Sequence, residues 1–476
     1  MKQRFQNLIA GQWRDAERGL DNVNPSDLSD VIGHYAVATS ADVDDAIAAA
    51  RVAQRRWFAL TPQERCDRLD AVGSEIGARR DELARQLSRE EGKTVRESQA
   101  EITKAAQLFK FFAGEAVRMW GEHVSSIRAG IDVDVERRPV GVVGLVTPWN
   151  FPFSIPAWKA APALAYGNAV ILKPSELTNA SAWSLTEILS RHLPSGVFQL
   201  VMGDGNTGRA LVGHADIDAV SFTGSVETGK RISAAVRPGA RLQLEMGGKN
   251  PLIVMEDADL PKAVDAALKS AFYSTGQRCT ASSRLIVHRA VRDRFVDELV
   301  QAMKKLRVGN ALEGSTDIGP LVSEAQLARV QKYLDVGRAE GAELVHGGEV
   351  LDAPTRGYYM QPALFAPSLS RHRINREEIF GPVASVIEVS DIDEAISVAN
   401  DTDFGLCAGI FTNSLKYTRQ FRNTIEAGMA MINLPTVGTD YHVPFGGTRA
   451  SSQGIKELGS AAREFYTTTV TIYTAS

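Results

Sequence analysis

The sequence has few cysteines, no long hydrophobic run and no large excess of either charge. Only three of its 476 residues are cysteines, too few for a disulfide framework, so we expect a reducing compartment such as the cytoplasm. No window holds about 18 uninterrupted apolar residues, and the N-terminus has no apolar run long enough for a secretory signal, so no membrane contact is predicted. The formal net charge is −4, which gives no indication of nucleic-acid binding.

What the sequence does contain is an ordinary globular composition. Hydrophobic residues make up 44% and charged residues 23%, values that are typical of folded soluble proteins rather than disordered ones. The length is sufficient for two or three domains with large cores. There are eight histidines, but none lies in a recognisable pairing with a cysteine, and we predict neither a cysteine hydrolase nor a metal site.

The first 120 residues are predicted to form a short hairpin followed by helices. Residues 8–13 have the pattern of two small strands around a turn. A capping box at 61–64, with proline at the first helical position, begins a helix whose apolar residues continue to Leu87 and which Gly92 ends. A second amphipathic helix is predicted across 102–117.

From about residue 140, short apolar runs alternate with helical patterns. The runs lie at 141–147, 169–172, 197–202 and 219–222. Intervening stretches such as 180–193 have helical patterning. Short apolar strands separated by helices indicate a parallel sheet that is buried on both faces.

The alternation begins again near residue 250, so we predict an α/β fold with a second α/β unit. Its strand-like runs lie at 251–255, 284–288, 383–389 and 429–433, with helices at 259–273 and 391–400. The segments 131–140 and 464–474 are rich in β-branched and aromatic residues and fit neither unit. We expect both to be strands outside the two units, covered by another subunit.

Cys279 follows a predicted helix and precedes a strand, in a polar segment that contains Gly276. A free cysteine is most often a small buried hydrophobe. Cys66, in a charged helix, and Cys407, in an apolar run, fit that interpretation. For Cys279 the alternative is a thiolate nucleophile, and the motifs described next favour it.

Glu245 ends an alternating strand and precedes the pair Gly247 and Gly248. Glycine lets the backbone turn sharply or pass close to another group. Glu245 is therefore either a surface carboxylate before a turn or a general base at the mouth of a site.

Asn150 lies between Pro148 and Pro152, directly after the run at 141–147. Open α/β sheets bind their ligands at the carboxyl ends of strands. The Asn150 amide either braces its own loop or donates to an oxyanion that develops during a reaction.

Lys173, Ser175 and Glu176 follow the next strand. In dinucleotide-binding folds an acidic side chain beyond a strand holds ribose hydroxyls. The alternative is that Lys173 and Glu176 are solvated, which is the usual state of such a pair at a strand end.

The turn that begins at Thr223, Gly224 and Ser225 is similar to a phosphate-binding strand–loop–helix turn. It does not match the GxGxxG pattern of dinucleotide-binding folds. A helix N-cap by Thr223 or Ser225 explains the sequence nearly as well.

Seven motifs together resemble the aldehyde dehydrogenase superfamily, in its order and at its spacing. They are PWNFP (148–152), KPSE (173–176), FTGSVETG (222–229), LEMGGKNP (244–251), GQRC (276–279), EEIFGPV (377–383) and PFGG (444–447). The resemblance covers essentially the whole chain. It implies a Rossmann-type cofactor domain, a second α/β catalytic domain and a small β oligomerisation arm.

The resemblance also implies roles for individual residues. Cys279 is the nucleophile, the Asn150 amide and the Cys279 backbone N–H form the oxyanion hole, and Glu245 is the base for hydrolysis. Lys159 belongs to the same catalytic group. The implied contacts to NAD or NADP are Thr147, Trp149, Lys173, Ser175, Glu176, Gly224, Ser225, Gly247, Glu378 and Phe380.

These roles imply oxidation of an aldehyde to an acid through a cysteine thiohemiacetal and a thioester. Relatives that transfer the acyl group to coenzyme A lack a glutamate at the position of Glu245, so a free acid is expected. The domains implied are residues 1–119 with 141–248 for the cofactor, 249–450 for catalysis, and 120–140 with 460–476 for the arm. A homodimer or homotetramer is expected.

Residues 434–447 and the tail resemble the 2-oxoglutarate semialdehyde (2,5-dioxopentanoate) dehydrogenases, whose substrate carries a carboxylate. Some semialdehyde dehydrogenases have arginines where this chain has Tyr273 and Trp158. Arg278 is therefore our candidate for gripping the carboxylate, unless it forms a structural ion pair. Trp158, Tyr441 and His442 are the other predicted substrate contacts.

Other functions stay open on the sequence alone. Another semialdehyde dehydrogenase or an aromatic aldehyde dehydrogenase would share the motifs. A catalytically silent structural relative is the alternative from a different class, but Cys279, Glu245, Asn150 and Lys173 are all retained, which argues against it.

Overall fold

Two large sheets and two small ones organise residues 4–475, the part of the chain that this computed structural model describes. Residues 1–3 and 476, at the outer ends of the predicted cofactor domain and arm, lie outside the described residues. In the described range, no helix combines the length and the apolar composition needed to cross a membrane.

The N-terminal region contains more strands than predicted. Its elements are β1 Arg4–Phe5, β2 Asn7–Ile9, β3 Gln12–Arg14, β4 Gly19–Val23, β5 Val31–Ala36, α1 Ser40–Ala59, α2 Pro62–Ala78, α3 Arg80–Glu91, α4 Val95–Ala116, β6 Glu122–Ser125 and β7 Ile131–Pro139. The predicted hairpin is confirmed as the antiparallel pair β2 and β3. Strands β1, β5 and β4 form a small sheet that the prediction missed.

The helix predicted to begin at the capping box is in fact two helices. The capping box is confirmed, with Thr61 and Glu64 bonded reciprocally at the start of α2. Arg79 leaves the helical conformation with φ −96° and ψ 14° and separates α2 from α3. Gly92 ends α3 in the left-handed conformation, φ +97°, which favours glycine. Val117 only caps α4 and is 44% exposed, so it is not part of the buried face.

The strands predicted between residues 141 and 222 are confirmed in the first large sheet. Its elements are β8 Val142–Val146, α5 Ser154–Ala165, β9 Ala169–Lys173, α6 Asn179–His192, β10 Phe198–Leu200, α7 Gly205–Val212, β11 Ala219–Thr223, α8 Val226–Ala235 and β12 Arg241–Glu245. Alternate residues face opposite cores: Leu172 belongs to one apolar cluster and Ile171 to another. The sheet is therefore buried on both faces, as predicted.

The order of the parallel strands in this sheet is β12-β11-β8-β9-β10, with β2 and β3 added at one edge. The chain moves outward from β8 in one direction to β10, then returns to β11 on the other side. The loops that follow β8 and β11 therefore lead toward opposite edges of the sheet. Such a change of direction opens a crevice at the carboxyl ends of the two strands. The crevice lies beside Thr147 and Thr223.

The second large sheet holds the remaining α/β elements. They are β13 Asn250–Val254, α9 Leu260–Phe272, β14 Ser282–His288, α10 Arg292–Met303, α11 Glu324–Ala339, β15 Leu344–His346, β16 Ala363–Ser368, α12 Arg373–Arg376, β17 Val383–Val389, α13 Ile392–Asn400, β18 Cys407–Phe411, α14 Leu415–Thr424 and β19 Met429–Ile432. Six strands run parallel and β15 is the antiparallel edge. The four predicted strands are confirmed; β15, β16 and β18 were missed.

The last elements are β20 Ser452–Gln453, α15 Gly459–Tyr466 and β21 Thr467–Ala475. Strand β20 joins the first large sheet beside β12. The prediction of a strand beginning at Glu464 was wrong, because residues 464–466 complete α15. Phe465 and Tyr466 are 1% and 2% exposed, so their aromatic rings pack in the core rather than on a strand.

Strands β6, β7 and β21 form a separate antiparallel sheet. Strand β21 pairs with β7 along its full length, from Thr467 opposite Pro139 to Ala475 opposite Ile131. The prediction that residues 131–140 and the tail form strands outside the large sheets is confirmed for Ile131–Pro139 and, in the tail, from Thr467 onward. Trp120 and Ile127, beside this sheet, are 68% and 104% exposed.

Candidate active site

Two cavities meet at Cys279. The first has a volume of about 270 Å³ and is lined by residues that include Glu245, Trp158 and Arg278. The second, of about 180 Å³, lies at the crevice between β8 and β11. The residues that line both cavities are Ile155, Thr223, Met246 and Cys279. The thiol is therefore within reach of two different ligands.

The segment before Cys279 is strained. Ser274 and Thr275 have φ of +52° and +55°, in the left-handed region that costs about 1–3 kcal/mol for a residue other than glycine. Side chains hold them there: Oε1 of Glu97 accepts from the backbone N–H of Ser274 at 2.8 Å, and Thr275 Oγ1 donates to the Gly319 carbonyl at 3.0 Å. Strain of this kind is typical of functional sites.

The Cys279 backbone is fixed from the other side by the LEMGGKNP segment. Asn250 Nδ2 donates to the Cys279 carbonyl at 2.7 Å. A side chain at position 248 would bring its Cβ to 2.8 Å from the same carbonyl, so only glycine allows this approach. The second glycine of the motif, Gly248, thus leaves the space that the Cys279 carbonyl occupies.

The Cys279 thiol is protonated in this environment. Burial, together with the carboxylates of Glu378 and Glu245, raises the pKa of Cys279 to about 12. A thiol in apolar surroundings near negative charge is a poor nucleophile. Attack on an electrophile therefore requires removal of the thiol proton within the site.

Asn150 lies at the Cys279 segment, where the sequence predicted an oxyanion donor. Its Nδ2 donates to the Gln277 carbonyl at 3.0 Å, and its Oδ1 is buried without a partner. An amide nitrogen carries two N–H groups, so one remains available. Lys93 donates to the Asn150 carbonyl at 2.6 Å and holds the loop in position.

Glu245 ends β12 and lines the first cavity, 3% exposed. Its Oε2 accepts a hydrogen bond of 2.5 Å from Ser452 Oγ. Burial and the nearby Glu457 carboxylate raise the pKa of Glu245 well above its usual range, against the opposing effect of Ser452 and Lys159. A carboxyl group with a raised pKa is suited to taking up a proton near neutral pH.

Lys159 and Glu457 form a buried ion pair behind Glu245. Lys159 Nζ donates to Glu457 Oε1, and also to Ser221 Oγ at 2.9 Å. Both side chains are almost completely buried. The arrangement places a cation and a second carboxylate beside the first cavity.

The predicted cofactor contacts divide into two groups. Seven of them surround or adjoin the second cavity: Thr147, Trp149, Gly224, Ser225, Gly247, Glu378 and Phe380. Six of these line it directly, whereas Thr147 stands at the end of β8, with its buried Oγ1 unpartnered. The Trp149 and Phe380 rings pack edge to face with centroids 5.3 Å apart.

Glu378 explains the first glycine of the GG pair. Its Oε1 accepts from the Gly248 N–H at 3.0 Å, and a Cβ at position 247 would lie 2.1 Å from its Oε2. Burial raises the pKa of Glu378.

At the other wall of the second cavity, Ser225 Oγ accepts from the Thr228 N–H at 3.3 Å and caps α8, so the helix-cap interpretation is confirmed.

Lys173, Ser175 and Glu176 stand outside the second cavity, at the end of the neighbouring strand β9. Lys173 Nζ lies 3.5 Å from Glu176 Oε2, and the Glu176 side chain is 49% exposed. The Lys173 carbonyl accepts from the Thr147 N–H at 3.2 Å. The three residues therefore extend the edge that carries the second cavity.

The four predicted substrate contacts do not all reach the first cavity. Trp158 and Arg278 line it, but Tyr441 and His442 are not among its lining residues. The Tyr441 ring instead packs against Phe111, with centroids 5.5 Å apart. The loop contributes its preceding residues, 437–439, to the cavity wall.

The sequence prediction missed several polar residues of the site. Among them are Glu97, Glu101, Lys104, Ser452 and Glu457. Glu97 and Lys104, with Glu101, stand at positions i, i+4 and i+7 of α4, a spacing that puts them on one helix face. This spacing of charged residues in an amphipathic helix is the sequence feature that could have identified them.

The matches to known proteins agree with this geometry. Residues 13–472 match the model of the aldehyde dehydrogenase family. The chain is 41% identical to an alpha-ketoglutaric semialdehyde dehydrogenase of Bacillus subtilis, over 98% of each chain. It is 40% identical to a 2,5-dioxopentanoate dehydrogenase of Saccharolobus solfataricus, again over 98% of each.

Solved structures give the same result. Betaine aldehyde dehydrogenase from Staphylococcus aureus in complex with NAD+ superposes with a TM-score of 0.95 at 34% identity, over 99% of this chain and 95% of that one. An NADP-dependent enzyme of E. coli superposes with a TM-score of 0.96 at 35% identity, over 99% and 98%. With Cys279 at the junction of two cavities and a family match over nearly its whole length, this chain belongs to the aldehyde dehydrogenase family.

Proposed function

We propose that this protein oxidises 2-oxoglutarate semialdehyde (2,5-dioxopentanoate) to 2-oxoglutarate with NAD or NADP. The observation that carries the proposal is the position of Cys279, which lines both a cavity shared with Glu245 and a cavity at the sheet crevice. The names of the relatives from Bacillus subtilis and Saccharolobus solfataricus support the substrate.

The residues at the crevice fit a nicotinamide dinucleotide. Thr147 Oγ1 and Thr223 Oγ1 are buried at the ends of β8 and β11 without hydrogen-bond partners, so both can accept or donate to a ligand. Gly247 leaves space beside Glu378. The crevice cavity would hold the nicotinamide half, with Glu378 at its ribose, and Lys173 and Glu176 would hold the adenosine ribose. When bound, NAD or NADP supplies a hydride acceptor.

In the first step the Cys279 sulfur forms a bond to the aldehyde carbon, and the thiol proton leaves. Glu245 lines the same cavity, and its raised pKa suits it to take that proton, directly or through water. The carbonyl oxygen becomes an alkoxide. The free N–H of Asn150 and the Cys279 backbone N–H stabilise that negative charge.

Once the acyl group is carried by Cys279 as a thioester, Glu245 has a second task. After it has released the thiol proton to solvent, Glu245 removes a proton from water, the water oxygen bonds to the acyl carbon, and the carbon–sulfur bond breaks. The acid is released and the thiol recovers a proton. Ser452 orients Glu245 for both tasks through its hydrogen bond to Oε2.

The assembly and compartment are also part of the proposal. Residues 120–140 and 460–476 would act as an arm that joins subunits into a homodimer or homotetramer, because the exposed Trp120 and Ile127 lie beside the small sheet. Residues 1–119 with 141–248, and 249–450, would be the cofactor and catalytic domains. Free Cys66, Cys279 and Cys407 fit the reducing cytoplasm.

An aldehyde panel tests the function. Reduced cofactor is followed at 340 nm with 2-oxoglutarate semialdehyde, succinic semialdehyde, pentanal and benzaldehyde, each with NAD and with NADP. The expected result is the highest kcat/KM for 2-oxoglutarate semialdehyde and no turnover by the Cys279→Ala variant. Outright preference for pentanal or benzaldehyde would refute the substrate, and turnover by Cys279→Ala would refute the mechanism.

A further inference from the structure

The wall of the first cavity that comes from α4 carries three charged side chains. Glu97, Glu101 and Lys104 all line the cavity that contains Cys279. Glu101 is already neutralised, since Lys93 Nζ lies 2.6 Å from its Oε2. The cavity therefore offers two cations to a negatively charged ligand, Lys104 and Arg278.

Arg278 is committed to other partners. Its Nη2 lies 3.2 Å from Glu97 Oε1 and donates to Ser274 Oγ at 2.7 Å. The same Glu97 oxygen also accepts from the Ser274 N–H. The positive charge of Arg278 is therefore already balanced by Glu97, although its Nε is buried without a hydrogen-bond partner.

Lys104 has no such partner. Its Nζ donates to the backbone carbonyl and to Oγ1 of Thr439, both at 2.8 Å. Across residues 4–475, no carboxylate lies within 4.0 Å of this ammonium group. An ammonium has three N–H donors, so one remains after the two bonds to Thr439.

The surroundings of Lys104 make its charge costly. Burial lowers the pKa of Lys104 to about 8, although Cys279, Asp440 and Glu101 act in the opposite direction. A partly buried cation without a counterion is unfavourable, and an anion that pairs with it recovers part of that cost. Lys104 is therefore prepared for a negatively charged ligand in a way that Arg278 is not.

A second donor lies next to Lys104. Lys104 Nζ is 5.0 Å from the centre of the Trp158 ring. Trp158 lines the cavity, and its Nε1 is buried without a hydrogen-bond partner. A buried N–H without a partner is uncommon, and a ligand oxygen can satisfy it.

We propose that Lys104 binds the terminal carboxylate of a short aldehyde acid whose aldehyde carbon is held at Cys279, with Trp158 Nε1 as a donor to the same end of the substrate. The inference rests on the proposed function, since it assigns the residue that selects acidic aldehydes. The residue that recognises the substrate carboxylate would thus lie on α4, and Arg278 would support the turn at Ser274.

The test compares two aldehydes of the same chain length in three variants. Lys104→Met keeps the length of the side chain without its charge, Lys104→Arg keeps the charge, and Arg278→Ala removes the other cation. Lys110→Met is the matched control, because Lys110 is on the same helix, exposed, and paired with Asp70 at 3.2 Å.

With 2-oxoglutarate semialdehyde, Lys104→Met should raise KM by about 10- to 150-fold, the loss expected for a hydrogen bond to a charged group. With pentanal the change should stay below about threefold. Lys104→Arg should restore most of the acid preference, Lys110→Met should match the wild type, and Arg278→Ala should lower kcat for both aldehydes alike.

Pentanoate provides a measurement that does not depend on turnover. Its dissociation constant, determined by calorimetry, should increase in Lys104→Met and not in Lys110→Met. If Lys104→Met impairs both aldehydes equally and binds pentanoate normally, or if Arg278→Ala alone loses the acid preference, the inference is wrong. If the wild type prefers pentanal but pentanoate binding still depends on Lys104, the proposed substrate is wrong and the carboxylate site stands.

Discussion

Nζ of Lys93 donates a hydrogen bond of 2.6 Å to the backbone carbonyl of Asn150. It also donates to Glu101 Oε2 at 2.6 Å, and the other Glu101 oxygen accepts from the backbone N–H groups of Phe153 and Ser154 at 3.0 Å. The loop that carries Asn150 is thus held at both ends by one buried ion pair. We infer that this pair sets the position of the oxyanion donor.

Replacing Lys93 with Met should lower both stability and kcat. Lys93 and Glu101 are each 1% exposed, and an unpaired buried carboxylate costs about 3–5 kcal/mol. The thermal midpoint and kcat should both fall, and adding Glu101→Gln should recover part of the midpoint but not kcat. A Lys93→Met enzyme with the wild-type kcat would show that the loop is positioned by other contacts.

The raised pKa of Cys279 predicts how the free enzyme reacts with iodoacetamide. The thiolate is the reactive form, and with a pKa of about 12 its fraction grows in proportion to hydroxide at every lower pH. Labelling of the Cys279 peptide, quantified by mass spectrometry, should therefore rise about tenfold per pH unit between about pH 7 and 10. A plateau below about pH 9 would mean that the thiol is activated before any ligand binds.

Replacing Glu245 with Gln should slow both the attack by Cys279 and the hydrolysis of the thioester. The Gln side chain can still accept from Ser452 Oγ but cannot take up a proton, and a lost general base costs about 10²- to 10⁴-fold in rate. Stopped-flow absorbance should show that the first turnover and the steady state of cofactor reduction are both slower than in the wild type. Glu298→Gln, at a surface pair with Arg294, is the control; a wild-type steady-state rate in Glu245→Gln would assign the base elsewhere.

Cofactor choice should be relaxed. Glu176 repels a 2′-phosphate, but its side chain is 49% exposed and can turn away, while Lys173 stays as a cation. We expect both NAD and NADP to be used, with kcat/KM values within about a thousandfold, or roughly 4 kcal/mol. Glu176→Gln should move the ratio toward NADP by about 5- to 30-fold, whereas Glu187→Gln should not. A stricter preference in the wild type would contradict this geometry.

Ending the chain after Tyr466 should dissociate the oligomer. This truncation removes β21, which supplies the full-length partner of β7, but leaves α15 and its buried aromatic residues in place. Light scattering should report a smaller particle than for the wild type. A chain that ends at Thr474 keeps almost the whole strand pair and is the control. Unchanged assembly of the shorter chain would exclude the arm as the subunit contact.

The sequence predicts the large sheets well because their strands are buried on both faces, which produces continuous apolar runs. Prediction from the sequence fails where an element lacks a clear apolar period, or where tertiary packing decides the conformation against the local strand or helix preference. Residues 464–466 have strand-forming side chains, yet they complete α15 because Phe465 and Tyr466 pack into the core. The strands β1, β4 and β5 are short and half exposed, so their pattern is weak.

For the site, the residues within motifs could be found from the sequence, and those outside motifs could not. Cys279, Asn150 and Glu245 stand at strand ends or turns, where local patterns are informative. Lys104 and Glu457 come from distant parts of the chain and reach the cavity only through the fold. Arg278 shows the same limit, since the sequence gives its distance from Cys279 along the chain but not its pairing with Glu97.

Helix α4 contacts three segments that are far apart in the sequence. Glu97 supports the turn before Cys279, Glu101 supports the loop of Asn150, and Lys104 contacts Thr439. The residues that support the reacting groups and the residue proposed to select the substrate thus lie on successive turns of one helix. An engineer who wishes to redirect this enzyme toward neutral or cationic aldehydes can change the last of these turns and leave the first two, and therefore the reaction itself, as they are.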